Sequence, residues 1–197
     1  MAHESIRVIR DEHAALAAML RSLAMMVDRG PADEPESFFD VLRAMLFYID
    51  EFPERLHHPK ESELLFPPVG RLAPETLDVI ERLEQDHRKG ESAVRELQHL
   101  LLAWELVGDS RRGAFEEAAR RYKDFYLDHM RLEETVILPA AQRVLGDADW
   151  NALDAAFAVN CDPLTGKYPR DPLFDRLFTR IVMRAPAPIG LGDAQGR

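Results

Sequence analysis

The positions of the prolines limit the helices that this chain can form. No proline lies between Pro74 and Pro139, which leaves room for two long helices with a break near Gly108. Pro31 separates two earlier segments, and from residue 163 onward prolines recur too often for another long helix. The sequence therefore predicts four helical segments followed by an irregular tail.

Each of the four segments carries apolar residues at helical spacing along one face. The first extends from about His3 to Asp28, the second begins near Glu34, the third starts after Pro74 and the fourth follows Gly113. No run alternates apolar and polar residues between turn sequences, as strands would. We expect an all-α fold, and short links between long amphipathic helices indicate an up-down-up-down four-helix bundle with a short irregular C-terminal extension.

The predicted bundle occupies residues 1–146, and the extension occupies residues 147–197. The extension begins with a short helical stretch that carries Trp150 and Phe157, and a small apolar stripe follows. Such a stripe packs on the bundle, on a partner subunit or on nothing. We expect it to pack on the bundle, and it is also the candidate surface for a homo-oligomer. Its residues are Leu173, Phe174, Leu177, Phe178 and Ile181.

The acidic balance of the chain argues against two classes of partner. Its 197 residues carry a formal net charge of −10, whereas nucleic acids and anionic membranes attract basic surfaces. No segment has the roughly 18 consecutive apolar residues of a membrane span. The single cysteine, Cys161, cannot form an internal disulfide, and the N-terminus lacks the apolar run of a signal peptide. We expect no nucleic-acid partner, no membrane association and a cytoplasmic location.

An internal repeat singles out two histidines and two glutamates. The sequence HHPKESELLFP at residues 57–67 aligns with HMRLEETVILP at residues 129–139, since 129 − 57 and 139 − 67 both equal 72. Residues four apart share one helix face, so each histidine points the same way as its glutamate. The aligned pairs are His57 with His129, and Glu61 with Glu133.

A looser repeat adds one histidine to each half. The letters DEH ending at His13 match QDH ending at His87, an offset of 87 − 13 = 74. All four histidines lie within apolar stripes, where an uncompensated polar group costs on the order of 1–3 kcal/mol. One buried histidine is usually a hydrogen-bonded core residue. Four of them, one per helix, with two carboxylates at matched depth indicate metal binding, and two such hairpins would create a pair of equivalent metal positions.

This pattern resembles that of the hemerythrin-like (HHE cation-binding) family, from about residue 3 to residue 145. The flanking words HHPKE…LFP and H…EE…LP are also characteristic of that family. The resemblance implies a four-helix bundle with two iron ions, bridged by two glutamates and by an oxo or hydroxo group, with the histidines as terminal ligands. The implied metal ligands are His13, His57, Glu61, His87, His129 and Glu133.

The donor types also bear on the identity of the metal. Imidazole and carboxylate without thiolate suit iron or manganese, and the set has too many ligands for one closed tetrahedral zinc site. Iron is preferred to manganese and zinc mainly on the family resemblance.

His58 is a second candidate beside His57. On an α-helix it is rotated by about 100° from its neighbour, and its spacing to Glu61 also permits a shared face. Pro59 removes a helical hydrogen bond and can bend the segment here. The repeat alignment favours His57 as the ligand, and His58 remains either a ligand or a hydrogen-bond partner of one.

Glu91 and Tyr126 complete the candidate residues. Glu91 stands four residues after His87, where oxygen-carrying hemerythrins place a fifth histidine, and is either a metal ligand or a hydrogen-bond partner of one. Tyr126 lies one turn before His129 and could donate a hydrogen bond to a bound oxygen species, although most such tyrosines are core residues. No catalytic residue is assigned.

The expected function is that of a metal-binding di-iron protein that binds or reacts with a small ligand (dioxygen, peroxide or nitric oxide), or senses or stores iron. The alternative is an enzyme that removes peroxide or nitric oxide, or an iron donor in cluster repair. The sequence does not choose between binding protein and enzyme, because the surroundings of the metal and the electron supply decide its chemistry.

Overall fold

The computed structural model describes residues 3–31, 34–165 and 172–192, which form six helical runs and no β-strand. The all-α fold is confirmed, but the described residues form four long runs and two short ones. No helix among them is long and apolar enough to cross a membrane. The runs are α1 (Glu4–Arg29); α2 (Pro35–Ile49), π1 (Asp50–His57), α3 (His58–Lys60), π2 (Glu61–Leu65) and α4 (Phe66–Leu72); α5 (Leu77–Val107); α6 (Arg112–Leu132), π3 (Glu133–Ile137) and α7 (Leu138–Val144); α8 (Asp147–Phe157); and α9 (Asp175–Arg184).

Glycine and proline set the ends of several helices. Pro35 is the first residue of α2. A backbone N–H at this position has no hydrogen-bond partner within the helix, so proline, which lacks the N–H, is well tolerated there. Gly30 directly follows α1; it has a φ of 76° and donates its N–H to the carbonyl of Met26. Gly108 follows α5 in the same way, with a φ of 97° and a hydrogen bond from its N–H to the carbonyl of Trp104. Glycine is favoured at both positions because a side chain is strained at such φ values.

The core consists of two apolar clusters separated by a polar layer. One cluster includes Leu42 and Trp104, and the other includes Val69 and Leu138. In each of the four long runs, the change from one cluster to the other occurs around a histidine of the repeated motif. α1 packs against α2 and α6, and α5 packs against the same two helices. The polar layer therefore lies between apolar side chains that exclude water on both sides.

Two of the π-helical segments are related by the sequence repeat. π2 begins at Glu61 and π3 at Glu133, and each segment is five residues long. The aligned glutamates thus begin the same local distortion, 72 residues apart (133 − 61). Single turns of π-helix inside α-helices are rare, and those that occur are often found at functional sites.

The C-terminal extension packs on the long helices of the same chain. α8 contacts α1, and α9 contacts α2. Ile181 of α9 is fully buried, and the Phe174 ring meets the Phe52 ring edge-on at 4.9 Å. The apolar stripe of the tail therefore covers the second run, while the side chain of Leu173 lies outside the described residues.

Candidate metal centre

The six residues of the repeated motif meet in the polar layer. α1 and α5 each contribute one histidine, while the second and fourth runs each contribute one histidine and one glutamate. All six side chains are buried, and those of Glu61, His129 and Glu133 have no exposed surface. The residues are His13, His57, Glu61, His87, His129 and Glu133.

The two carboxylate oxygens of Glu61 face different histidines. Oε1 lies 3.1 Å from Nε2 of His57, and Oε2 lies 3.6 Å from Nε2 of His87. The spacing of four residues places His57 and Glu61 on one helix face, as expected. The carboxylate therefore spans the space between histidines of two different runs.

Glu133 repeats this arrangement from the other side. Its Oε2 lies 3.2 Å from Nε2 of His13, and its Oε1 lies 3.1 Å from Nε2 of His129 and 3.7 Å from Nε2 of His87. Both carboxylates thus present one oxygen to His13 or His57 and the other to His87 or His129. We call the space near His13 and His57 the first position, and the space near His87 and His129 the second position.

Each of the four histidines has an oxygen atom near its Nδ1 nitrogen. Where that oxygen belongs to a carboxylate, it accepts the Nδ1–H and leaves Nε2 directed inward, the arrangement that orients metal-binding histidines. Three of these contacts have hydrogen-bond lengths, and the fourth is longer. They are His57 to Glu12 at 2.6 Å, His13 to Glu134 at 3.0 Å, His87 to Ser62 at 3.0 Å and His129 to Asp86 at 3.7 Å.

The partners of the Nδ1 nitrogens follow the sequence repeat as well. Glu12 and Asp86 precede the first histidine of each half and are 74 residues apart (86 − 12), and each faces the histidine of the next run. Ser62 and Glu134 follow the two glutamates and are 72 residues apart (134 − 62). The repeated words therefore contain the residues that orient the histidines, and their position beside the motif could have identified them.

The buried donor atoms fit a pair of cations. Both carboxylate oxygens of Glu61 and of Glu133, and Nε2 of His57, are buried and make no hydrogen bond with the described residues. Nε2 of His87 and Nε2 of His129 approach each other to 3.2 Å. Buried polar atoms without hydrogen bonds are costly, and a cation at each position would bind all of these atoms. Nitrogen and oxygen donors in this number suit iron or manganese better than a single tetrahedral zinc ion.

The electrostatics of the cluster favour cations. Burial opposes protonation of His129, yet Glu133 and its other acidic neighbours raise the pKa of this imidazole to about 10. Burial acts in the same direction on His57, while Glu61 and Glu12 raise its pKa well above the usual value. Without metal, the carboxylates hold protons on these rings. Metal binding would release those protons, because a metal ligand must be deprotonated.

His58 also lies in the cluster, beside the second position. Its ring stacks on that of His87 at 4.3 Å, and one of its nitrogens lies within 4.8 Å of ligand atoms of His87 and His129. Burial and the neighbouring histidines lower the pKa of His58 well below the usual value, so its imidazole is neutral. π1 ends at His57, and a π-helical turn holds more residues than an α-helical turn. Adjacent side chains are then rotated less, and both His57 and His58 point inward.

Glu91 lies outside the cluster. Its side chain is 54% exposed and forms an ion pair with Arg95 at 2.5 Å. The inward face of α5 continues from His87 to Gly90, and a Cβ atom at Gly90 would lie 1.8 Å from the hydroxyl oxygen of Tyr126. Tyr126 therefore occupies the space on this face one turn beyond His87, and Glu91 contacts solvent.

Tyr126 belongs to a buried network centred on Glu54. Tyr126 and Tyr122 both donate to Oε1 of Glu54, Tyr122 at 2.9 Å, and the other oxygen lies 3.2 Å from Nδ1 of His58. Burial raises the pKa of Glu54 to about 7, against the lowering effect of the two tyrosine hydroxyls. Glu54 was not among the residues predicted from the sequence, although it precedes His58 by the same four residues that separate His57 from Glu61.

The family model described as Hemerythrin HHE cation binding domain matches residues 4–141 of this chain. The matched range contains the six motif residues and ends before α8. Comparison with curated proteins returns no match.

Proposed function

Because the chain belongs to the hemerythrin HHE cation-binding domain family, we propose that it is a non-haem protein that binds two iron ions. The observation that carries this proposal is the orientation of the two buried glutamates. In each carboxylate, one oxygen faces a histidine of the first position and the other faces a histidine of the second position. In the proposed centre, His13 and His57 would hold iron at the first position, and His87 and His129 would hold it at the second. Glu61 and Glu133, whose oxygens face both positions, would serve both ions.

The protein scaffold of this centre is proposed to be a four-helix bundle. Its members are α1, the run of residues 35–72, α5 and the run of residues 112–144. The contacts of α1 and α5 with both α2 and α6 support this arrangement. Metal sites of this kind are built from carboxylates and histidines that project inward from facing helices of a bundle.

His58 makes the two positions unequal. We assign it to the second position as a third imidazole, because its ring lies against His87 and its Nδ1 faces Glu54. The first position then has two histidines and the second has three. The first position, which has fewer protein donors, therefore keeps a coordination site for a small ligand.

Iron at these positions would supply reversible binding of, or electron exchange with, dioxygen, peroxide or nitric oxide. The chain itself provides the conditions for such chemistry. Apolar clusters on both sides of the polar layer exclude bulk water. The hydroxyl groups of Tyr126 and Tyr122 donate hydrogen bonds to Glu54, and Glu54 in turn contacts Nδ1 of His58. A buried hydrogen-bond network therefore holds His58 in place.

The experiment is an anaerobic titration of the metal-free protein with ferrous iron, followed by separate exposure to dioxygen and to peroxide. We expect two iron ions per chain and an absorption change after exposure. A colour that persists in air and disappears under vacuum indicates reversible binding, whereas loss of added peroxide with oxygen evolution indicates an enzyme. Failure to retain more than one iron per chain would reject the proposed centre.

A further inference from the structure

The C-terminal extension reaches the first position, although it lies beyond the matched family region. Residues 4–141 match the family, and α8 begins after them at Asp147. α8 is held on α1 by Ser5, whose backbone N–H and hydroxyl both donate to Oδ1 of Asp154, at 2.7 and 2.6 Å. At the other end of α8, the ring of Phe157 is fully buried and meets the ring of His57 edge-on at 5.6 Å.

Asn160, just after α8, bonds the carboxylate that orients His57. Its Nδ2 donates to Oε2 of Glu12 at 3.0 Å, and the same oxygen lies 2.6 Å from Nδ1 of His57. Lys60 donates to the amide oxygen of Asn160, so both ends of the amide have partners. The side chain of Asn160 is buried. Glu12 is therefore held between a histidine of the cluster and a residue of the extension.

The extension also supplies one wall of a small cavity at the first position. The cavity has a volume of about 10 Å³, and its lining includes His13, His57, Phe52, Asn160 and Asp162. This is about the smallest volume that holds one water molecule. Asp162 is buried and accepts hydrogen bonds from the hydroxyl of Tyr48 at 2.6 Å and from the N–H of Leu164 at 2.8 Å. The wall is thus fixed in place by polar contacts.

The second position has no such contact in the described part of the chain. Asp86 is the repeat equivalent of Glu12, yet its Oδ2 makes no hydrogen bond with the described residues. This oxygen lies 3.7 Å from Nδ1 of His129 and 3.8 Å from Nε of Arg82, a residue of the same helix. Glu12, in contrast, bonds both His57 and Asn160. The extension therefore breaks the approximate symmetry of the two halves at this carboxylate.

We propose that Asn160 is a positioning residue for the metal at the first position, and that residues 160–162 close the cavity beside it. By fixing Glu12, the amide of Asn160 holds His57 with Nε2 directed toward Glu61. The extension thereby strengthens metal binding at the first position and leaves the second position unaffected. This inference rests on the proposed function, since it requires two metal positions per chain.

Two substitutions at Asn160 test the donor, and one at Ser62 serves as the matched control. Asn160→Asp keeps the size of the side chain but replaces the donor that Glu12 requires, and Asn160→Ala removes the amide altogether. Ser62→Ala removes the Nδ1 partner of His87 at the second position. Cobalt(II) titrations monitored by absorption, with a competing chelator, give the affinity of each binding step. Thermal unfolding of the metal-free proteins shows whether the fold is unchanged.

We expect both Asn160 variants to weaken one binding step by up to about tenfold, the lower end of the loss typical of a direct partner of a metal-binding histidine, because Asn160 acts on His57 through Glu12. Ser62→Ala should weaken the other step. In a His57→Ala background, which already impairs the first position, Asn160→Ala should have no further effect, while Ser62→Ala should still weaken the remaining step.

The outcomes distinguish a failure of this inference from a failure of the proposed function. Two cobalt ions bound with wild-type affinity by both Asn160 variants would overturn the positioning role and leave the proposed centre intact. Equal weakening of both steps by Asn160→Ala would also overturn it, because the effect would not be confined to the first position. A wild-type protein that binds only one metal would overturn both this inference and the proposed function.

Discussion

Glu12 and Asp86 lie in equivalent places of the two halves of the chain, and each carboxylate faces the Nδ1 nitrogen of a histidine on the next run. The first contact is 2.6 Å long, to His57, and the second is 3.7 Å long, to His129. The repeat therefore includes the groups that orient the histidines as well as the histidines themselves. This arrangement supports a pair of related but unequal metal positions.

Glu61→Gln should weaken binding of both metals, because the two oxygens of this carboxylate face different positions. We expect each of the two affinities to fall by at least about tenfold. Removal of a residue that only hydrogen-bonds a metal ligand typically costs that much, and Glu61 is proposed to be a ligand itself. The metal-free variant should be less stable than the metal-free wild type, since protonated His57 loses its buried carboxylate partner, Oε1 of Glu61 at 3.1 Å. Glu63→Gln, the same change at an exposed site of π2, is the control and should alter neither property. A loss confined to one metal would mean that Glu61 does not bridge.

The histidine variants should separate the two positions. His57→Ala is expected to reduce binding at the first position and His129→Ala at the second, as shown by metal content after desalting. His58→Ala should have a smaller effect, confined to the second position, because His87 and His129 remain there. If His58→Ala abolishes binding while His57→Ala leaves it intact, the assignment of these neighbours is wrong.

Gly90→Ala tests the packing between α5 and Tyr126. The added Cβ would lie 1.8 Å from the tyrosine oxygen and 2.9 Å from Oε1 of Glu54. The tyrosine must move, and we expect a destabilisation of about 1–3 kcal/mol, typical of overpacking. Gly113→Ala is the control, since no atom lies within 4 Å of its Cβ position and alanine favours the helix by up to about 1 kcal/mol. Chemical denaturation that finds both variants equally stable would contradict this packing.

Glu54→Gln should change the pH dependence of stability of the metal-free protein. Burial raises the pKa of Glu54 from 4.5 to about 7, so the folded state binds a proton that the unfolded state has lost between these values. The free energy of unfolding contributed by this group is therefore greatest below pH 4.5 and falls as the pH rises through 7. The glutamine variant lacks this decrease and should be more stable above pH 7, by up to about 3 kcal/mol. Parallel pH profiles for both proteins would show that Glu54 titrates normally.

The two repeats made the six-residue cluster predictable, because the offset of 72 residues relates one histidine and one glutamate of each half and the offset of 74 adds His13 and His87. The neighbouring His58 could not be placed in the same way. Adjacent residues of an α-helix are rotated by about 100° about its axis, whereas the wider turn of π1, which ends at His57, rotates them less and brings His57 and His58 in together.

Two other features depend on contacts that no local pattern reports. Glu91 has the expected spacing from His87, but Tyr126 fills the inward space beside Gly90. Asn160 is 148 residues from Glu12, in a segment without helical periodicity, so its contact appears only once the extension has packed on α1. The sequence predicted an extension from residue 147 onward, while the contact of Asn160 with Glu12 required the fold.

The number of metal ions retained per chain tests the central claim most directly. The metal-free protein is loaded with excess ferrous iron without oxygen, desalted, and analysed for iron and protein in the same sample. Two iron ions per chain are expected for the wild type, and fewer for Glu61→Gln. A wild-type ratio of one or less would contradict a centre in which two glutamates bridge two metal positions.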